Sequence, residues 1–600
     1  MQYEVGLPQE DPFIVKDFFR NEIVRYEKSI IVTFWGKNGT ITTKKYGFRT
    51  AEEIERMISL KKEIVLNSCY IKDITIRGEI SSFYASYVFF DGKVNFRAKI
   101  IGTTELTGAI FAREVSFDCM EFGKNADFTD VNFYAQVQFM NTKFNEEANF
   151  RSVQFHRNVL FLDTKFKGIA NFSNENFFED AVIQRTIFKK KASFKGSRFF
   201  QKADFRRTTF GGVADFEGVL FEFAAGGINR NSTIDFTCVK FTKKAIFRNA
   251  HFNAADTIFL KSKFKNIADF SLATFGYTVS FQYAQFCGET NFIHVIAPFA
   301  CVDFSKSIFQ GYLDLAKIET RKLNMEDCRI EIAVNLSEAK IKELSLWGIE
   351  NLGPIYMDWD WDRENVKHAI YDSAFDNRIE WKHFYDRKAI HTCLKQIKSD
   401  AKQTLSKNHK FNPHPHLRIA YQYRLLKENF RSLGQYDAED KAYVEFRHHE
   451  ALSQLWGELE ERRYIRLWNM STYPFKWFVK DFIGKYATNP TRILMTLIVN
   501  IIAFAGLYYL CGFASETNAV NSYTGISDSE PTSVEVIFGK SQFARFKASM
   551  YFSAITSFTV GYGDLSPKTE FIALIACIES FLGVFLMSYF TVAFSRKILR

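Results

Sequence analysis

Near the C-terminal end of this 600-residue chain stand Thr559-Val560-Gly561-Tyr562-Gly563-Asp564-Leu565-Ser566-Pro567, a run whose residue types could present oxygens to a cation. A ring of backbone carbonyls can replace an ion's water shell where the chain is extended and little bulk intrudes. Gly561 and Gly563 allow backbone conformations denied to other residues. Thr559 can add a hydroxyl oxygen at one mouth, and Tyr562 could pack outward and hold the loop open. A Gly-Tyr-Gly triplet also arises by chance in turns, so the flanking segments must decide.

Those segments are apolar and of defined lengths. Thr491 to Phe513 (TRILMTLIVNIIAFAGLYYLCGF) is long enough, at about 1.5 Å per residue, to cross a hydrocarbon core of about 30 Å. Phe571 to Phe594 is again apolar, with Glu579 its one charge, and is followed by Arg596, Lys597 and Arg600. Between them, Phe543 to Phe558 is too short to span but suits a re-entrant helix aiming its negative C-terminal end at a cation.

Helix, short helix, filter run, helix: over roughly 110 residues this resembles the pore domain of bacterial two-helix potassium channels, and Thr559 to Gly563 resemble their selectivity filter. The resemblance implies potassium sites at Thr559, Val560, Gly561 and Tyr562, completed by Gly563. It implies filter support from Asp564, a hinge at Gly583 and a homotetramer, since one strand cannot encircle an ion. Family members often carry two threonines before the valine, whereas Phe558 precedes Thr559 here, so the packing behind the filter is expected to differ. Glu579 lies well inside a membrane helix, where a charge must face protein or a water-filled cavity. A hydrogen-bonded role behind the filter is expected for it over direct ion contact.

Composition sets the wider frame. The length implies several domains, and the formal net charge of +10 discriminates little between a membrane surface and nucleic acid. Nine scattered cysteines without a Cys-x-x-Cys pair read as reduced thiols. The opening MQYEVGLPQEDPF has neither a basic start nor an apolar core, so no signal peptide is expected.

The 66 phenylalanines are periodic. From Phe117 through Phe122, Phe128, Phe133 and onward to Phe221 the steps alternate five and six, with Ile183 at one Phe position. After a break at residues 224–231 the series resumes at Phe236 and continues, one residue late, from Phe259 to Phe292. Small residues such as Ala126, Ala148, Ala170 and Ala203 stand two places before alternate members. Neither the helical nor the strand period fits, and a self-similar array means a solenoid. The pattern resembles the pentapeptide-repeat family, which implies a right-handed quadrilateral β-helix with Phe and Ala inside. On that analogy Lys143 and Lys165, Lys167 and Lys189, Arg185 and Arg207, and Lys243 and Lys265 would stack on adjacent coils, as ordinary solvated faces rather than a binding stripe.

The expected organisation is a multidomain membrane protein. Residues 1–70 form a small mixed cap, with a hairpin around Asn38-Gly39 and a helix capped at Thr50. Residues 71–350 form the β-helix, aliphatic from Ile330 through Leu336 and Ile341 to Leu346. Residues 351–488 form an α-helical linker with a helix pair broken at Gly434, ending in an interfacial segment from Tyr473 to Lys480. Residues 489–600 form the pore domain. A metal cluster of His409, His414, His416, His448 and His449 is disfavoured, because no Cys or carboxylate stands at zinc spacing.

Lysines and arginines flank both membrane helices, whereas residues 514–539 carry Glu516, Asp528, Glu530 and Glu535 without Lys or Arg. The positive-inside rule then puts both termini in the cytoplasm, with the chain in the inner membrane. The function expected is passive potassium conduction, regulated by the N-terminal domain through the first membrane helix. No cofactor beyond the transported ion, no nucleic acid and no enzymatic chemistry are expected; the β-helix would take an unidentified ligand or protein partner. A membrane-tethered scaffold and a less selective cation channel are the alternatives.

Overall fold

The structure, a computed structural model, describes all residues except 1, 18–21, 37–39, 61–62, 223–232, 254–255, 358–414, 462–471, 473–474, 515–519, 523–541, 563–564, 568 and 600. The chain divides into two compact units, Met1–Ser373 and Ala374–Arg600.

In the first unit a β-solenoid of about 13 turns covers residues 47–356. Its strands are mostly two residues long, and through residues 104–221 they pair in parallel with the strand 22 residues on. Asn132–Phe133 pairs with Gln154–Phe155, Val137–Gln138 with Val159–Leu160, Lys143–Phe144 with Lys165–Phe166, and Ala126–Asp127 with Ala148–Asn149. Four such ladders make the four faces.

Phenylalanine rings fill the interior. Phe139 stacks on Phe161 at 4.6 Å, and Phe117 meets Phe128 edge-on at 90°, the offset and T-shaped arrangements that ring quadrupoles favour. Ile183 is buried at its Phe position. Hydroxyls complete the inside: Thr142 donates to Phe117 O, and Thr186 to Phe161 O, both at 2.6 Å. The 11-residue unit has a backbone cause, because left-handed residues recur at Cys119, Asp130, Asn141, Ser152, Asp163, Asn174 and Arg185, with Gly196 and Gly218 continuing the series.

The expected basic stacks hold in part. Lys143 lies opposite Lys165, but Arg185 is paired to Asp163 at 2.7 and 2.6 Å. Lys240 pairs with Lys263, which sets Lys243 opposite Asn266 rather than Lys265, because that coil holds one extra residue. The aliphatic end keeps the coil, with Ile330, Leu336 and Leu346 buried; Ile341 is only half-buried and Leu344 takes the interior place.

At the start, Lys28–Trp35 and Ile41–Phe48 pair antiparallel, and helix α1 (Ala51–Ser59) begins with a capping box between Thr50 and Glu53. The hairpin turn at Asn38-Gly39 lies outside the described residues.

In the second unit, α2 (Pro415–Ser432) and α3 (Tyr436–Glu461) form the helix pair, turning at Gly434 in the left-handed conformation. A π-helical segment, Phe478–Ile483, leads to α4 (Pro490–Ala514), α5 (Gln542–Ser557) and α6 (Glu570–Ile598). Residues 490–510 of α4 and the whole of α6 are long and apolar enough to cross a membrane. Ile493, Leu497 and Ile501 of α4 form one core with Leu586 and Ala593 of α6; Tyr508, Phe552, Ile555, Ile572 and Ile575 form a second with α5. The acidic residues of 514–539 lie outside the described residues.

Candidate functional site

Helix α5 delivers the chain to the filter run. Its last turn continues as Phe558 and Val560 donate backbone N–H groups to Ala554 O and Ile555 O, both at 2.9 Å. Thr559 then takes φ +54° and Gly561 φ +54°. For a β-branched residue such as Thr559 this is an uncommon conformation, held here by a hydrogen bond from its own N–H to Thr556 O at 3.1 Å. Val560 and Tyr562 are 48% and 72% exposed on the single chain. Beyond the loop, Leu565–Pro567 pairs antiparallel with Val520–Ser522, which anchors the far side of the run. Gly563 and Asp564 lie outside the described residues.

Behind this turn sits Glu579, fully buried at mid-α6. Its carboxylate accepts from three hydroxyls: Tyr508 of α4 at 2.6 Å, Ser557 of α5 at 2.8 Å, and Ser553 of α5. Ser553 lies 2.8 Å from Ile501 O as well. A carboxylate in a site without water needs such donors, and these join all three helices at one side chain, four residues from Gly561 through Ser557.

Sequence reasoning identified Glu579 but missed Tyr508, Ser553 and Ser557. The available signal was the i, i+4 spacing of the two serines in a largely apolar helix, which places both on one face.

Gly583 is one turn further along α6 and closes the same contact. A Cβ there would lie 2.0 Å from Ser557 O and 2.7 Å from Ser557 Cα. Its missing side chain therefore lets α6 pass directly against the C-terminal end of α5, a reason for glycine distinct from bending.

Among the described residues no group of three or more His, Cys, Asp or Glu could hold a metal ion. His416 and His449 face each other through their Nδ1 atoms at 3.0 Å, and His449 stacks on Tyr423. Burial, with the His448 charge adding, pushes His449 down to about 3, so the His449 ring is neutral packing inside the helix hairpin. His448 instead points to Asp481 at 3.5 Å. His409 and His414 lie outside the described residues.

Residues 496–600 match a family model described as ion channel, and residues 128–176 match pentapeptide repeats in nine copies. No curated protein and no solved structure matches the chain. The chain thus joins a pentapeptide-repeat solenoid to an ion-channel domain with two membrane-length helices, and is a membrane protein that handles ions.

Proposed function

We propose that this chain is one of four identical subunits of a potassium-selective channel that conducts passively across the inner membrane, with both termini in the cytoplasm. In this reading Thr559, Val560, Gly561 and Tyr562 supply the potassium sites, Gly563 completes the filter, and Asp564 and Glu579 support it from behind. The observation that carries the reading is the turn itself. A helix too short to span, α5, ends in left-handed residues Thr559 and Gly561 and an exposed stretch to Tyr562, between two membrane-length helices.

Elementary chemistry favours a site shared by several copies. Dehydrating the ion requires several oxygens at once, which four copies of an exposed backbone run can offer and one cannot. The exposure of Val560 and Tyr562 on a single chain suits surfaces that meet neighbouring copies. A transport function of this kind needs no enzymatic step and no cofactor beyond the ion, and the solenoid is left to regulate the pore.

The test is potassium efflux from vesicles containing the purified protein, wild type against Gly561→Ala. On the single chain a Cβ at Gly561 meets nothing within 4 Å, so the change acts through the left-handed backbone and through facing copies. Wild-type efflux of potassium far above that of sodium, lost in the variant while the oligomer persists, is the expected result. Equal efflux of both ions from wild type supports a less selective cation channel, and no efflux supports a tethered binding protein.

A further inference from the structure

The C-terminal turn of α6 is gripped from two sides. Arg596 pairs with Asp440 of α3 at 3.0 Å and lies over the Tyr443 ring, 4.2 Å from its centroid. Lys597 stands 3.9 Å from Asp437, one turn earlier on the same face of α3. Two turns back along α6, the Tyr589 hydroxyl lies 3.0 Å from Ala487 N and 3.2 Å from Lys480 O, and Gly484 leaves room for its ring. The third side closes between His448 of α3 and Asp481 of the π-helical segment. Burial pushes Asp481 up, but His448, the Trp477 hydrogen bond and the Arg492 charge together hold the carboxyl below its ordinary value.

The charges suit their own helices before they meet. Asp437 and Asp440 lie in the first turns of α3, and Arg596 and Lys597 in the last turn of α6, where the helix dipoles favour each sign. The contact therefore aligns two helix ends already poised for each other. Asp440 and Arg596 are also well covered, with side chains 11% and 23% exposed, so solvent screens the pair less than an open surface bridge. The expected route of regulation, through the first membrane helix alone, is thus joined by a direct contact on the second.

We propose that the α2–α3 hairpin is a clamp on the end of α6, and that the Asp440–Arg596–Tyr443 contact sets the balance between open and closed pores. Displacing the end of α6 separates Arg596 from Asp440 and Tyr443 and strains the Tyr589 contacts together, so α6 and the hairpin move as one unit or the clamp opens. A ligand or force acting on the hairpin reaches the second membrane helix without passing through α4. The inference rests on the channel reading for its output, and its contact is testable without it.

The experiment uses the full-length protein in vesicles, with Arg596→Gln, Asp440→Asn, their double variant, and the conservative Arg596→Lys and Tyr443→Phe. Each single neutralisation should change the open-to-closed ratio about fivefold or more in one common direction, the double should equal either single, and the conservative variants should stay near wild type. Selectivity should not change. Hydrogen exchange of the amides from Tyr589 to Ile598 supplies a second readout, faster in the neutralised variants and no faster in the double. Unchanged open-to-closed ratios, or effects that simply add, overturn the gating role. Unchanged exchange overturns the clamp whether or not current flows, and a wild type without current contradicts the channel reading and the gating role together.

Discussion

Tyr508 on the first membrane-length helix donates its hydroxyl to Glu579 on the second at 2.6 Å, across 71 residues of sequence. With Ser553 and Ser557 it surrounds one carboxylate with three donors from two other helices. Glu579→Gln keeps an oxygen and the volume, and should retain most of the stability and selectivity. Glu579→Leu removes the acceptor of Tyr508 and Ser557, while Ser553 keeps Ile501 O, at about 1–3 kcal/mol for each hydroxyl left unmatched. Thermal unfolding of the oligomer should fall clearly in the leucine variant, with selectivity weakened. Wild-type behaviour of both would show the residue to be unimportant.

Gly583→Ala should act by collision. Its Cβ would lie 2.0 Å from the Ser557 carbonyl oxygen, a backbone atom at the base of the filter turn. Overpacking of this kind costs about 1–3 kcal/mol, whereas stiffening a helix by replacing glycine gains up to about 1 kcal/mol. Lower thermal stability together with altered selectivity is expected. A variant as stable as wild type, changed only in open probability, would favour a hinge over a packing contact.

Phe205→Asp places a carboxylate where the ring stacks on Phe236 at 4.7 Å in the solenoid interior. The cost should be several kcal/mol, on the order of 3–5. Lys190→Asp, on an exposed position, should change stability by less than about 0.5 kcal/mol. The comparison is read from unfolding of the solenoid by circular dichroism, and equal stability would refute the interior assignment.

Glu175 is an interior carboxylate of the repeat region that the hydrophobic pattern does not explain. It is buried with neither carboxylate oxygen hydrogen-bonded, in the column that holds Val153 one coil before and Ser197 one coil after. Burial pushes its acid well above the ordinary value. The folded state thus keeps the proton to higher pH than the unfolded state. Stability is full below the unfolded value of about 4.3 and falls as pH rises from there toward the folded value, by up to about 1.4 kcal/mol per unit. Glu175→Gln should flatten that slope above the unfolded value, and Glu175→Val should also raise stability at higher pH. An unchanged pH slope in both variants would place the titration elsewhere.

Much of this was legible in the sequence, for physical reasons that differ by region. The Phe ladder could be read because one interior residue per face imposes a period that neither helix nor strand shares. The cause of its eleven-residue unit could not, since a left-handed corner accepts Asp130 and Asn141 but also Arg185 and Leu272. Membrane helices were visible from apolar length, and Glu579 from its cost. Tyr508, Ser553 and Ser557 were hidden because hydroxyls cost little in an apolar helix and so leave no mark in a hydrophobic pattern. The Arg596–Asp440 pair joins helix ends 156 residues apart, and no local pattern encodes it. The stack expected of Lys243 and Lys265 failed through a single inserted residue, which makes the spacing across that coil 23 before it returns to 22.

The central claim is selectivity for potassium, and the direct measurement is the reversal potential of the reconstituted full-length protein with potassium on one side of the bilayer and sodium on the other. Selective dehydration by the Thr559–Gly563 run predicts a reversal potential far from zero, with the sign set by potassium permeation, unchanged when residues 1–350 are removed. A reversal potential near zero, with current flowing, would contradict it.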